Sequence, residues 1–100
     1  MKEDIKVWSD YTKQTWFVTV PSMDCPFTNQ VVQDCVLEVI KDKNIGWYIQ
    51  KDYNDGNKFF SVDGKWMSEK ELNRYSNKRV VKDYFPSCWA AFACIEDRYS

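Results

Sequence analysis

One hundred residues carrying 14 basic and 15 acidic side chains, 44% hydrophobic and 17% aromatic, fit a single domain with a modest core and a net charge of −1. That balance excludes a duplex nucleic-acid binder, which needs a basic excess to neutralise phosphates, and no apolar run approaches the ~18 residues that span a bilayer. With no His, the chain lacks the usual general base at neutral pH and any Ser–His or Cys–His dyad.

In chain order, IKVW (5–8) and TWFVTV (15–20) read as an N-terminal hairpin, 5–20, with the polar SDYTKQ between them as its loop. In the second strand Trp16, Val18 and Val20 fall on one face, and Thr15, Phe17 and Thr19 on the other. Pro21 ends that strand because it lacks a ladder donor. Residues 28–43 read as a helix capped by Thr28. Val31, Val32, Cys35, Val36, Val39 and Ile40 repeat at three- and four-residue spacing, and Asn44 and Gly46 supply the stop.

The stretch 45–67 is rich in strand signals: IGWYIQ, then KFFSV and KWM joined by Asp63-Gly64, a turn dipeptide between apolar runs. Ser68 and Glu71 form a capping box, which predicts a short helix over 69–75. VVKDYF (80–85) reads as a strand, and Pro86-Ser87 opens a C-terminal helix, 87–98. Its segment CWAAFACI is apolar for eight residues, so the helix must be buried on most sides or paired with a second copy. The elements give an α+β class: a small antiparallel or mixed sheet with helices packed on it.

Chemistry-bearing constellations are sparse. There is no P-loop and no GxGxxG, and Cys25, Cys35, Cys88 and Cys94 lack CxxC spacing. No metal, cofactor or catalytic residue is assigned, and an enzyme is not expected. The N-terminal MKEDIKVWSDY has no apolar stretch of a signal peptide, so a cytoplasmic location with reduced thiols is expected. Asp34, Glu38 and Asp42 form a four-spaced acidic stripe, which Lys41 and Lys43 interrupt.

The positive signal is LNRYSNKRVVK (72–82), which holds Arg74, Lys78, Arg79 and Lys82 and no acid, and leads to the Pro86-Ser87 helix start. Free N–H groups at a helix start favour anions. Ser87 either donates to such a ligand or caps the helix. Tyr84, Trp89 and Trp47 offer stacking faces. These eight residues (Ser87, Arg79, Lys82, Lys78, Arg74, Tyr84, Trp89 and Trp47) make a candidate site for a small anionic ligand, a phosphate carried on a flat base. The alternative is an aromatic protein-binding surface anchored by Trp8, Trp16, Trp66 or YIQKDY (48–53).

Three motifs carry a family resemblance over roughly residues 31–98. VLEVIKDKNIGWYIQ resembles an apolar helix ending in a GW-type motif. FFSVDGKWMS resembles a VD-x-G-K/E turn, and DYFPSCWAAFACIEDRY resembles a final Y/F-x-PSTD helix. This pattern is similar to the phage ABA-sandwich family of small NinX-type accessory proteins. Pro86 and Ser87 match the tetrapeptide; Cys88 and Trp89 stand where the family has Thr and Asp. The resemblance implies an α/β/α-type sandwich and a phage or prophage accessory role in the host cytoplasm. It implies countering host defence, by trapping a nucleotide-type immune signal or by binding a host defence protein. A homodimer is expected to cover the last helix.

Overall fold

The computed structural model describes residues 5–20, 23–24, 31–32, 35–53, 56–74 and 81–98. Eight strands and two helices follow in chain order: β1 Lys6–Ser9, β2 Thr15–Val20, β3 Met23–Asp24, β4 Val31–Val32, β5 Cys35–Asp42, β6 Gly46–Asp52, β7 Lys58–Val62, β8 Lys65–Ser68, α1 Glu69–Arg74 and α2 Cys88–Arg98. Six of the strands form one sheet in the order β1-β2-β5-β6-β7-β8, and β3 and β4 form a second, two-stranded piece. Among the described residues every strand pairing is antiparallel, and the class is α+β.

One expectation is overturned. The helix expected over 28–43 is strand at 31–32 and 35–42, as β4 and then the eight residues of β5, and turn at Lys43. β5 pairs along its length with β2, from Thr15↔Ile40 to Val20↔Cys35, and with β6, from Glu38↔Gln50 to Asp42↔Gly46. Its exposure alternates at period two: Leu37 and Val39 are fully buried, while Val36, Glu38 and Ile40 are half-buried on the opposite face. Val and Ile are stiff at χ1 and fit a pleated surface better than a helix. The apolar residues were dense enough to satisfy both periods, and the β2 and β6 neighbours decide in favour of strand. Asn44 and Gly46 accordingly belong to the β5–β6 turn and the first residue of β6.

The N-terminal hairpin, the Asp63-Gly64 turn and α1 follow their local signals. The N-terminal hairpin pairs Lys6↔Thr19 through Ser9↔Trp16. Asp63 and Gly64 both take positive φ, 51° and 74°, as a tight two-residue hairpin requires. The Glu71 amide donates to Ser68 Oγ at 3.2 Å, which caps α1 as the box predicts.

Strand alternation gives the main sheet two faces. Val7, Trp16, Val18, Val20, Leu37, Val39, Trp47 and Ile49 lie on one, against Cys88, Ala91, Phe92 and Ile95 of α2. The spacing 88, 91/92, 95 is one helix stripe, so the apolar run CWAAFACI is covered largely inside the chain. α2 crosses the sheet rather than following a strand. It starts with Trp89 against Trp16 of β2 and ends with Arg98 on Ser61 and Trp66 of β7 and β8.

The segment 81–85, expected as a strand, is a wedge. β6 and β7 pair at Gln50–Asp52 with Lys58–Phe60. Beyond that point, residues 81–85 hydrogen-bond to both strands. Trp47 and Phe85 exchange N–H···O bonds of 2.9 and 2.8 Å, and the Asp83 amide donates to the Ser61 carbonyl at 2.8 Å. The Asp83 carboxylate then accepts from Ser61 Oγ at 2.9 Å, the Asp63 amide at 2.7 Å and the Gly64 amide at 3.0 Å. This clasp fixes the chain on its way into α2.

Candidate functional site

The sheet face away from α2, called here the open face because α2 does not cover it, is built from the alternate residues, of which Gln50 and Phe60 are buried. On β5 these are Glu38, Ile40 and Asp42; on β6, Tyr48 and Gln50; on β7, Phe60. Glu38 and Gln50 are directly opposite in the ladder, and Gln50 Nε2 donates to Glu38 Oε2 at 2.7 Å. Gln50 is buried, so this bond also satisfies an amide that would otherwise cost free energy.

Segment 81–85 adds its own side chains to this face. Tyr84 donates its hydroxyl to Asp42 Oδ2 at 3.3 Å and packs edge-on to Tyr48, with ring centroids 6.1 Å apart and planes at 76°. Tyr48 in turn meets Phe60 edge-on at 5.9 Å and 66°. The Lys82 ammonium sits over both rings, 4.2 Å from the Tyr48 centroid and 4.3 Å from that of Phe60. Burial raises the Tyr48 phenol above its ordinary value, and the charges of Asp42 and Glu38 push it the same way. Tyr84 is raised by burial first and then by Asp42. Both phenols are therefore neutral donors at physiological pH.

A second cluster lies at the end of the sheet where the chain turns. Loop 10–14 joins β1 to β2, turn 43–45 joins β5 to β6, and the Lys41 amide donates to the Gln14 carbonyl at 2.9 Å, tying the two together. Tyr11 is 97% exposed and Ile45 62% exposed at these tips. Near the start of β2, Trp16 packs against the indole of Trp89, which is 66% exposed, with centroids 6.4 Å apart; both rings also meet Phe92.

The anion site expected from the sequence is divided by this arrangement. Lys82 and Tyr84 share the open face. Trp47 alternates to the other face and packs into the core. Trp89 belongs to the turn-end cluster. Ser87 Oγ accepts from the Ala90 amide at 3.2 Å, so its oxygen serves as the α2 cap. Arg74 is exposed at the end of α1, and Lys78 and Arg79 lie outside the described residues.

Of the aromatic anchors, Trp8 is partly exposed and stacked on Phe17 at 5.7 Å, while Trp16 and Trp66 pack against the core. Asp42, Glu38 and Phe60 are not among the site residues expected from the sequence. The signal that finds them is the strand period across 36–42, which sets Glu38 opposite Gln50 and Ile40 opposite Tyr48.

The fold and its exposed aromatic groups define a small antiparallel α+β domain with two surface clusters of different character. No family model matches the chain, and neither a curated protein nor a solved structure matches it. Among the described residues, no helix is long and apolar enough to cross a membrane.

Proposed function

We propose that the chain is a non-catalytic binding protein whose partner is another protein, engaged through the turn end of the sheet. The observation that carries this reading is the exposure of Tyr11, Ile45 and Trp89 around one end of the sheet. Large apolar side chains scattered singly need no explanation, but Tyr11 and Ile45 stand on loops tied together through Lys41 and Gln14, and Trp89 packs on Trp16 at the start of β2, which suits an interaction site. Trp and Tyr are also the side chains that most often dominate interface energetics. An accessory role against a host defence protein, in the host cytoplasm, is what the motif resemblance adds. The α/β/α sandwich is part of the same proposal; α2 supplies one helical layer, and α1 lies beside β7 and β8.

The test compares the wild-type chain with the Tyr11→Ala/Trp89→Ala double variant as bait in a bacterial extract. A protein held by the wild type and lost by the variant, with both equally folded, supports the reading. Equal recovery by both overturns it.

Sequestration of a nucleotide-type anion is the second reading, favoured by one observation: Lys82 and Tyr84 stand together with Tyr48 on the open face. The Asp42 and Glu38 carboxylates beside them oppose it, since a phosphate there would meet like charge. A cyclic dinucleotide or ADP-ribose-like ligand that raised Tm would favour this reading over a protein partner. A homodimer, if formed, would not be needed to cover α2, because the stripe at Cys88, Ala91, Phe92 and Ile95 is buried within one chain.

A further inference from the structure

We propose that Tyr48, Phe60 and Tyr84, with Asp42 and Glu38, form a receptor for a quaternary ammonium group, and that Lys82 is its resident, displaceable occupant. This goes beyond the protein-binding reading: it concerns the open face, not the turn end, and a different ligand chemistry.

Ring geometry is the first support. Tyr48 meets Phe60 at 66° and Tyr84 at 76°, with centroids 5.9 and 6.1 Å apart, so successive rings stand steeply to one another and make a corner rather than a flat stack. A cation in such a corner meets the negative face of more than one ring, the arrangement that suits ammonium groups. Lys82 shows that a cation fits, with its nitrogen 4.2 and 4.3 Å from two centroids.

Charge is the second, independent support. Asp42 is held by the Tyr84 hydroxyl at 3.3 Å, Glu38 is held by Gln50 at 2.7 Å, and both carboxylates act on the Tyr48 phenol. The ring that Lys82 covers therefore feels two negative charges, which favours a cation on it and disfavours an anion.

Construction separates walls from occupant. Tyr48 and Phe60 stand on paired strands of the sheet, and Asp42 is the last residue of β5. Lys82 reaches the corner from the wedge, whose backbone is fixed through Asp83 and Phe85 on either side of Tyr84. Its side chain can withdraw without breaking a strand pairing. A primary ammonium is strongly hydrated and gains little from leaving water. A quaternary ammonium offers no N–H to water and presents methyl groups to the rings, so it should compete well for the same corner.

The probe is tetramethylammonium, titrated into the full chain and followed by chemical-shift changes at Tyr48 and Tyr84. The Lys82→Met variant is expected to bind it about tenfold more tightly than the wild type, equivalent to ~1.4 kcal/mol released from competition. 3,3-Dimethylbutanol, the uncharged isostere of choline, should not bind either protein. Choline and a trimethyl-lysine peptide, tested on Lys82→Met, distinguish a free metabolite-like source from a modified protein tail. Equal affinity in wild type and Lys82→Met, equal binding of the neutral isostere, or no shift at either tyrosine overturns the proposal. If Lys82→Met does not fold, Lys82→Gln serves the same comparison.

Discussion

Gly46 shows how one residue fixes the approach to both clusters. Its φ is +144°, and a Cβ there would lie 2.6 Å from the Phe85 carbonyl oxygen, the acceptor of the Trp47 amide. Backbone atoms cannot yield as a flexible side chain would, so Gly46→Ala should cost about 2 kcal/mol or more in urea unfolding and loosen the 81–85 wedge. The tyrosines provide a pH test at the same scale. Tyr48 and Tyr84 are both raised above 10.0 in the folded chain, chiefly by burial. The unfolded chain then releases its phenolic protons first as pH rises, so N binds more protons than U there and stability falls. Their contribution is complete below the unfolded value near 10 and is lost as pH climbs through the folded values. Unfolding free energies between about pH 9 and 11 should therefore decline less steeply in a Tyr48→Phe/Tyr84→Phe variant than in the wild type.

Among the elements, β5 is where sequence and structure part. The Asp63-Gly64 turn, the Ser68–Glu71 cap, the N-terminal hairpin and the start of α2 were legible, because each depends on a few residues acting locally. β5 depends on neighbours that are distant in the chain, and its apolar positions fit two periods at once. A substitution series separates them. A helix would bury Val36, Val39 and Ile40 together and leave Leu37 aside; the strand buries Leu37 and Val39 and half-exposes Val36 and Ile40. Leu37→Ala should cost about 3 kcal/mol, and Val36→Thr or Ile40→Thr about 1 kcal/mol or less, by chemical denaturation. The reverse ranking would contradict the strand. The open face was illegible for the same reason: Glu38, Asp42, Tyr48 and Phe60 converge only once the β5–β6–β7 register is set.

For the whole molecule, the sheet divides the work. One face and α2 supply the core; the opposite face holds the Tyr48, Phe60 and Tyr84 rings with Asp42 and Glu38; the turn end presents exposed apolar groups. The basic approach expected to serve an anion was only partly placed, and the part that is placed points Lys82 at aromatic rings rather than at the Ser87 helix start. The sequence order 82–89 suggested one site, but strand alternation and the turn into α2 distribute those residues over two faces. Tyr11 is almost fully exposed and Trp89 mostly so, which makes them removable: together Tyr11→Ala and Trp89→Ala should lower stability by about 1 kcal/mol or less. Affinity capture from a bacterial extract with wild-type and double-variant bait, quantified by mass spectrometry beside matched melting curves, tests the protein-binding role most directly. A stoichiometric partner is expected on the wild type, with at least a tenfold loss on the folded variant, about 1.4 kcal/mol or more of binding free energy. Unchanged recovery by the variant, or no stoichiometric partner on the wild type, would contradict it.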